Sequence, residues 1–284
     1  MQGIDKLALK QREHDNWSAA AEGWRRRDAL LTKGAGPVTD RMLELVNIIE
    51  GSRLLDIASG TGEPSISAAK IVGENGEVVG TDLAEEMLAV ARDKAAAQSL
   101  TNINYHCMDA EKLDSEDASF DAVTIRWGLM FMPEPLACLV KAKDALKLNG
   151  KISLACWGDV SQNPFVGVLM QPLSQYMDIP KPVAGTPGIF AFSDREKLHG
   201  VVASAGFKNI VIEEMVIDVI EVENGQAYWD AMSDLAAPVM ALVNQLDESS
   251  RNNYIKDVIS AADKMKQGDT LPMKGTTWIV SADK

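Results

Sequence analysis

The sequence is poor in cysteine and in positive charge, and it has no long hydrophobic run. Its three cysteines, Cys107, Cys138 and Cys156, form no Cys-x-x-Cys pair and have no accompanying set of histidines. This argues against a disulfide framework and against a metal site, and it fits the reducing cytoplasm. The amino terminus is charged throughout, and no apolar stretch approaches the length of a membrane span, so we expect a cytoplasmic protein.

Positive charge is in deficit, with 28 Lys and Arg against 41 Asp and Glu and a formal net charge of -13. That global field opposes nucleic acid and anionic membranes, and the only tight basic cluster is Arg25-Arg26-Arg27. The cluster is typical of a solvated helix face, with a local anion site as the alternative. The remaining composition, 46% hydrophobic and 24% charged over 284 residues, is that of a globular protein with one large domain or two small ones.

Short apolar segments alternate with helical patterns in the middle of the chain. Strands are predicted at Arg53–Ile57, Glu77–Thr81, Ile103–Cys107, Phe120–Arg126 and Lys151–Trp157, and helices at Pro64–Val72, Ala84–Gln98 and Pro135–Lys147. Strand, helix and strand at this spacing form parallel βαβ units. The predicted fold class is therefore α/β, with a doubly wound, Rossmann-like sheet.

Helical segments and irregular chain surround this core. Before it, helices are predicted at Asp15–Leu31 and at Pro37–Glu50, joined flexibly at Gly34-Ala35-Gly36. After it, residues 161–192 are rich in proline and are expected to be irregular. A capping box at Ser193–Glu196, a strand at Asn209–Glu221, a helical insertion at Gln226–Lys266 and a last strand at Thr276–Ser281 complete the prediction.

The sharpest local signal is a glycine turn that follows the first predicted strand. The segment Leu54–Pro64 runs from an apolar strand into Gly60-Thr61-Gly62, and Asp82 ends the next strand twenty residues later. Glycine suits a turn that needs unusual backbone angles and close approach of a ligand. A carboxylate at the position of Asp82 can accept both hydroxyls of an adenosine ribose.

Two ligand classes use this arrangement. A dinucleotide requires a third glycine for its pyrophosphate, but Ser65 stands there, preceded by Glu63 and Pro64. A carboxylate next to a pyrophosphate is electrostatically unfavourable, and proline removes an N–H donor. S-adenosylmethionine (SAM) carries no phosphate and has a sulfonium and an ammonium group, which also explains an acid at Asp56, near the ammonium directly or through water.

The ordered motifs are similar to those of class I SAM-dependent methyltransferases. Asp56–Gly62 resembles motif I of that family, Asp82 its acidic position, Met108–Glu111 its adenine-contacting motif, and Ser119–Val123 the opening of its fourth strand. Ala145–Lys151 resembles the family's Leu-Lys-Pro-Gly-Gly turn, with Leu148 and Asn149 as departures. Arg126-Trp127-Gly128-Leu129 after the fourth strand most resembles the UbiE-like branch, which methylates quinones and other small molecules.

The resemblance implies a donor site. Gly60 and Gly62 would line the methionine portion, Leu83 and Met87 would pack near the adenine, and Asp109 and Ala110 would bond to it. A helix-core role for Met87 and a capping role for Asp109 are the structural alternatives. The predicted donor site comprises Asp56, Ala58, Ser59, Gly60, Gly62, Asp82, Leu83, Met87, Asp109, Ala110, Arg126 and Trp127.

Arg126 and Trp127 of this set, together with Trp17, Trp24 and His14, are predicted to lie at the reacting end of the site. Arg126, at the carboxyl end of a central strand, is expected to bind the SAM carboxylate or the acceptor, or to form a salt bridge alone. Trp127 flanks the sulfonium or fills the core. Trp17 and Trp24 share a helix face and form a lid or part of the core, and His14 is the one histidine considered as a base.

We therefore expect a cytoplasmic SAM-dependent methyltransferase of a small, lipophilic or aromatic acceptor. Residues 1–50 would form a helical lid, and residues 51–284 the SAM-binding core, with cap insertions at about 161–192 and 223–270. A NAD-type oxidoreductase, a catalytically silent SAM-binding module and a nucleic-acid or protein methyltransferase are the competing hypotheses. The sequence leaves open whether the chain is a monomer or a homodimer.

Overall fold

The computed structural model describes residues 5–113, 118–179 and 185–284. Within these ranges seven strands are present: β1 Arg53–Ile57, β2 Glu77–Asp82, β3 Ile103–Cys107, β4 Phe120–Arg126, β5 Leu146–Trp157, β6 Lys208–Val222 and β7 Leu271–Asp283. The same ranges contain ten α-helices: α1 Lys6–Arg26, α2 Asp28–Leu45, α3 Ser65–Val72, α4 Glu85–Ala97, α5 Pro135–Ala145, α6 Pro164–Leu173, α7 Arg195–Ser204, α8 Gly225–Leu235, α9 Ala237–Val243 and α10 Glu248–Asp263.

The seven strands form one sheet in the order β3-β2-β1-β4-β5-β7-β6. β1 to β5 are parallel to one another, while β7 runs antiparallel between β5 and β6. Helices cover both faces, so the central strands read as continuous apolar runs, with Leu54, Leu55 and Ile57 of β1 all buried. The predicted doubly wound α/β fold is confirmed.

The sheet changes direction of winding at β1, which lies between β2 and β4. Chain segments leaving the carboxyl ends of β1 and β4 therefore diverge to opposite faces and leave a crevice between them. Open α/β sheets bind their ligands in this crevice. The glycine turn after β1 and Arg126 at the end of β4 both lie there.

The predicted flexible joint at Gly34-Ala35-Gly36 is wrong, since α2 continues through it and through Pro37. A β-carbon added at Gly34 would lie 2.1 Å from the carbonyl oxygen of Val219, so glycine here allows α2 to pack directly on β6. This packing overrides the low helix propensity of glycine and proline. The predicted second helix is also too long, because Ile49 lies beyond the end of α2 and is exposed.

The predicted irregular segment 161–192 contains a helix, α6, which begins at Pro164. Proline suits the first position of a helix because its missing N–H would have no partner there. Tyr228 Oη donates to the Phe165 carbonyl oxygen (2.5 Å) and Tyr254 Oη to that of Leu169 (3.2 Å), so α8 and α10 hold α6 in place. Pro180 and Pro182 of the same prediction lie outside the described residues.

The remaining boundaries need smaller corrections. α7 is capped by Asp194, whose carboxylate accepts from the backbone N–H groups of Glu196 and Lys197, and not by Ser193. The predicted insertion is confirmed as three helices, α8 to α10. β7 begins at Leu271, earlier than expected, and the predicted turn at Ala145–Lys151 is largely part of β5. Among the described helices, none is long and apolar enough to cross a bilayer.

Candidate functional site

The turn after β1 has a left-handed backbone and an open side. Ala58 and Gly60 have φ angles of +56° and +53°, and no atom lies within 4 Å of the place that a Gly60 β-carbon would take. Gly62, with φ +109°, is instead closely packed, since its β-carbon would meet Ile66 Cδ1 at 2.8 Å. Gly60 therefore faces free space that a ligand can enter, while Gly62 shapes the turn from within.

Asp82 connects this turn to the end of β2. Its Oδ2 accepts from the backbone N–H of Gly60 and its Oδ1 from that of Ala84, each at 2.9 Å. Burial raises the pKa of the Asp82 carboxyl, although the two N–H groups favour the charged form. The carboxylate is half-buried, so it reaches the crevice as well as holding the turn.

Asp56 lies beneath the turn and is completely buried. Its Oδ2 accepts from Ser65 N (3.0 Å) and Ser65 Oγ (2.5 Å), and its Oδ1 from Thr124 Oγ1 (2.8 Å). Burial raises the pKa of Asp56 to about 6 against these donors. Because both oxygens are engaged inside the protein, we expect Asp56 to act on a ligand's ammonium group through its charge and not by direct contact.

The raised pKa of Asp56 predicts a pH dependence of stability. Between the ordinary value of 3.8 and about 6, the folded protein retains a proton that the unfolded chain has lost. Raising the pH across this window therefore lowers the free energy of unfolding, by on the order of 3 kcal/mol from this group. Urea denaturation at pH 4, 5, 6 and 7 should show the advantage of wild type over Asp56→Asn shrinking as pH rises. A difference that does not vary with pH would contradict the assignment.

Arg126 is a largely buried cation at the end of β4. Its Nη1 donates to Thr39 Oγ1 of α2 at 2.7 Å, and its Cζ lies 5.4 Å from the centroid of the Trp127 ring. Burial lowers the pKa of Arg126, and the charges of Glu63 and Asp56 oppose that effect. The sequence did not predict the role of Thr39, which fixes the guanidinium from the N-terminal helices.

Trp127 forms an aromatic wall beside Arg126. Its ring stacks on Trp157, with centroids 4.4 Å apart and planes inclined by 10°, and its Nε1 donates to Thr277 Oγ1 at 3.0 Å. Trp157 in turn packs against Phe165 of α6, with the two ring centroids 4.8 Å apart. The wall joins the end of β4 to the cap helices, and it places aromatic side chains beside the Arg126 guanidinium.

The predicted adenine end combines packing with charge. Leu83 is half-buried. Met87 is buried between α4 and α1, which is the helix-core role that the sequence analysis gave as the alternative for this residue. Asp109 caps a short 3₁₀ helix at Ala110–Lys112 by accepting from Glu111 N, and its Oδ2 accepts from Lys10 Nζ at 2.6 Å. The capping alternative for Asp109 is therefore observed, and its second oxygen is engaged by α1.

Helix α1 packs between α4 and α8, beside the segments that follow β3 and β4. One edge packs on α4, where Ser18 donates to Glu86, and the other reaches α8, where Trp24 Nε1 donates to the Leu235 carbonyl oxygen at 3.3 Å. Trp17 lies between them, with its ring 5.6 Å from Trp24 and 5.1 Å from Phe131, edge to face in both cases. The two tryptophans share one face, as predicted, and that face lies toward the protein.

His14 lies at the α4 edge of α1. Its Nδ1 is 3.0 Å from Asp15 Oδ1, and the ring is more than a third exposed. The structure thus pairs His14 with a neighbour on its own helix and does not bring it together with Arg126 or the glycine turn. Glu13, which the sequence analysis overlooked, occupies the inner face instead and is 6% exposed. Helical phase relative to Trp17 and Trp24 is the signal that could have identified it.

Lys10 links α1 to the adenine end through two carboxylates. Its Nζ lies 2.6 Å from both Asp109 Oδ2 and Glu111 Oε2. Burial acts to lower the pKa of Lys10, but the two carboxylates outweigh it and the pKa is raised. A ligand that uses Asp109 must compete with this bridge.

Comparison with known proteins identifies the class. Phosphoethanolamine N-methyltransferase 2 of Haemonchus contortus, solved with S-adenosyl-L-methionine, superposes with a TM-score of 0.53 at 18% identity, over 87% of this chain and 52% of that one. The [4+2]-cyclase SpnF superposes with the same TM-score at 19% identity, over 87% and 80%. The fold is that of the Rossmann-like SAM-dependent methyltransferases, which also serves other chemistry.

The sequence defines the family within this class. The model of the ubiE/COQ5 methyltransferase family matches residues 38–226. Demethylmenaquinone methyltransferase of Staphylococcus saprophyticus is 32% identical over 222 residues, which are 73% of this chain and 93% of that protein. The corresponding enzyme of Staphylococcus carnosus is 31% identical, over 61% and 75%. The chain belongs to the ubiE/COQ5 family, and it is a SAM-dependent methyltransferase of a small molecule.

Proposed function

We propose that this methyltransferase acts on a flat, hydroxylated aromatic acceptor of the reduced-quinone type. The observation that carries the proposal is the cluster of aromatic side chains, Trp127, Trp157 and Phe165, that follows the end of β4 and lines the reacting end with apolar surface. The relatives named as demethylmenaquinone methyltransferases support the same acceptor class. The apolar faces of the cap helices agree with it.

The donor site in this proposal fits SAM. The open space at Gly60 is where a β-carbon would block the methionine portion, and the half-buried carboxylate of Asp82 suits the ribose hydroxyls. Asp56 and Glu63 supply negative charge near the ammonium and sulfonium groups, and Arg126 a positive charge for a carboxylate. Ala58, Ser59 and Gly62 form the turn, Leu83, Met87 and Ala110 enclose the adenine, and Trp127 flanks the sulfur.

Methyl transfer from SAM requires the protein to position the two reactants more than to activate them. Bound SAM supplies a methyl group on a positively charged sulfur that is already a good leaving group. The turn and Arg126 hold the donor, and the aromatic wall orients the acceptor against it. Alignment of two reactants in this way is worth up to roughly 7–11 kcal/mol of the barrier. A base is required only where the acceptor must lose a proton.

We further propose that residues 1–50 act as a lid over the core 51–284, together with the insertions at about 161–192 and 223–270. The position of α1 between α4 and α8, beside the segments that follow β3 and β4, supports this role for Trp17 and Trp24. The net charge of -13 supports a cytoplasmic enzyme that does not bind nucleic acid. Sedimentation of the purified protein separates the monomer from the homodimer.

Calorimetry and product analysis together test the proposed function. We expect SAM to bind and NADH not to bind, and we expect tritium from methyl-labelled SAM to appear in a naphthohydroquinone with a short side chain. Transfer to none of a panel of hydroxylated aromatics, with SAM binding intact, would refute the acceptor class. Competition of duplex DNA or RNA with the acceptor would revive a nucleic-acid substrate.

Removal of the Lys10 bridge should accelerate donor exchange. Lys10→Met frees Asp109 for the adenine and releases α1 from Glu111, so we expect SAM to associate and dissociate about fivefold faster, in keeping with a part-buried ion pair worth about 1 kcal/mol. Stopped-flow tryptophan fluorescence measures both rates. Lys6→Met, which removes only an exposed pair with Glu134, serves as the control and should stay within about twofold. Unchanged rates in Lys10→Met would exclude the bridge as a barrier.

A further inference from the structure

Glu13 is a buried carboxylate with an unused oxygen. The residue is 6% exposed, and Oε1 accepts from Arg12 Nη2 at 2.8 Å and Nε at 3.2 Å. Among the described residues, no group donates to Oε2. Oε2 is therefore free to meet water or a ligand that enters beside α1.

Its place on α1 puts Glu13 on the helix face that contacts the segments after β3 and β4. Lys10, three residues earlier, contacts Asp109 and Glu111 after β3, and Trp17, four residues later, contacts Phe131 after β4. Residues three and four apart on a helix share a face, so Glu13 lies on the face that spans these two strand ends. The α4 and α8 edges of α1 are occupied by other residues, Ser18 and Gly23 among them.

We propose that Glu13 is a catalytic residue that accepts the hydroxyl proton of the acceptor. The inference rests on the proposed function, because it places an aromatic hydroxyl beneath α1. The acceptor O–H bond breaks and its proton passes to Glu13 Oε2, while the electron pair left on oxygen makes the ring nucleophilic. The ring carbon bonds to the methyl carbon as the carbon–sulfur bond breaks, and sulfur keeps that electron pair. The proton displaced from the ring carbon goes to solvent.

Arg12 fits this role without entering the crevice. Its guanidinium is about half exposed and binds only Oε1 of Glu13, so it holds the carboxylate and leaves Oε2 for a ligand. His14, the base considered from the sequence, lies one position further on and is paired with Asp15 at the surface. Substitution of Glu13 and substitution of His14 therefore distinguish the two candidate bases.

A binding measurement tests the contact without any turnover. Tryptophan fluorescence quenching compares 1-naphthol with 1-methoxynaphthalene, which has the same ring but no hydroxyl proton, in protein saturated with S-adenosylhomocysteine. We expect wild type to prefer 1-naphthol at least tenfold, and Glu13→Ala to lose that preference. Glu22→Ala on the exposed side of α1, and His14→Ala, should retain it. A preference that persists in Glu13→Ala overturns the inference.

A kinetic measurement separates a base from a spacer. Glu13→Gln keeps the shape of the side chain, and we expect it to lower kcat for the naphthohydroquinone at least tenfold, with the SAM affinity within about twofold of wild type. The loss should shrink for ring-chlorinated acceptors whose hydroxyl is already ionised. An equal loss for all acceptors, or a weakened SAM affinity, would overturn the assignment. If wild type itself binds neither naphthalene, the acceptor proposal fails and the inference with it.

Discussion

Gly60→Val and Asp82→Ala are each expected to weaken SAM binding by at least about 100-fold. Valine at residue 60 would fill the open space in front of the turn, and a β-branched side chain also resists the φ of +53° there. In the proposed donor site, loss of the Asp82 carboxylate would remove two charge-assisted bonds to ribose hydroxyls, each worth about 1.5–3 kcal/mol. Isothermal titration calorimetry of each variant measures the change.

A control variant, His199→Ala, and a milder variant, Asp82→Asn, accompany this experiment. His199→Ala alters an exposed side chain on α7, far along the chain from the turn, and should bind SAM as wild type does. Since Asp82 also accepts from Gly60 N and Ala84 N, thermal unfolding should accompany the titrations, with Asp82→Asn as a milder variant. Weak binding in His199→Ala with normal binding in Asp82→Ala would place the donor site elsewhere.

Arg126→Met should reduce the affinity for whichever ligand brings a carboxylate, by about 100-fold. The expected loss of affinity is large because the guanidinium is mostly buried. A ligand carboxylate that pairs with it is shielded from water, so water does not replace the lost ion pair in the variant. Methionine keeps the apolar volume against Trp127. Thr39→Val, which removes the bond to Nη1, should give a smaller loss in the same direction.

Two donor analogues decide which ligand Arg126 serves. If it binds the methionine carboxylate, Arg126→Met weakens SAM but leaves methylthioadenosine, which has no carboxylate, unaffected. If it serves the acceptor, SAM affinity is unchanged and only the KM of the acceptor rises. No change in either quantity would restrict Arg126 to a structural role as a positive charge near Glu63 and Asp56.

The core of the fold followed from the sequence because its signals are local. β1, β3 and β4 have the predicted bounds, since short apolar runs bounded by turns and helices specify buried parallel strands. The glycine turn and Asp82 were predicted together for the same reason: the turn chemistry and the strand end are written in neighbouring residues. Here local propensity and tertiary structure agree.

The errors arose where distant residues decide local structure. Gly34 and Pro37 read as a break, yet α2 is continuous because Gly34 meets the backbone of Val219, more than 180 residues later in the chain. The helix α6 was missed because prolines lie near both of its ends and recur after it, and tyrosines from α8 and α10 fix it. Such contacts have no signature within the segment itself.

The predictions for the candidate site also depended on whether the signal was local or came from distant residues. Asp56 was assigned to the site from its spacing, but its burial and its bonds to Ser65 and Thr124 depend on the packed sheet. His14 was considered because histidine titrates near neutral pH, and Glu13 was overlooked although its helical phase relative to Trp17 and Trp24 places it on the inward face of α1. Thr39 carried no signal at all before its bond to Arg126 was seen.

The position of β7 has a consequence for how the protein is made. β7 lies between β5 and β6, yet it follows every other described element in the chain. Until β7 has been synthesised, β6 therefore has no strand that pairs it with the rest of the sheet. The edges of β5 and β6 that β7 pairs with stay exposed during that time. Folding of this half must therefore await the synthesis of β7, and until then the strand edges that β7 pairs with are open to association with other chains.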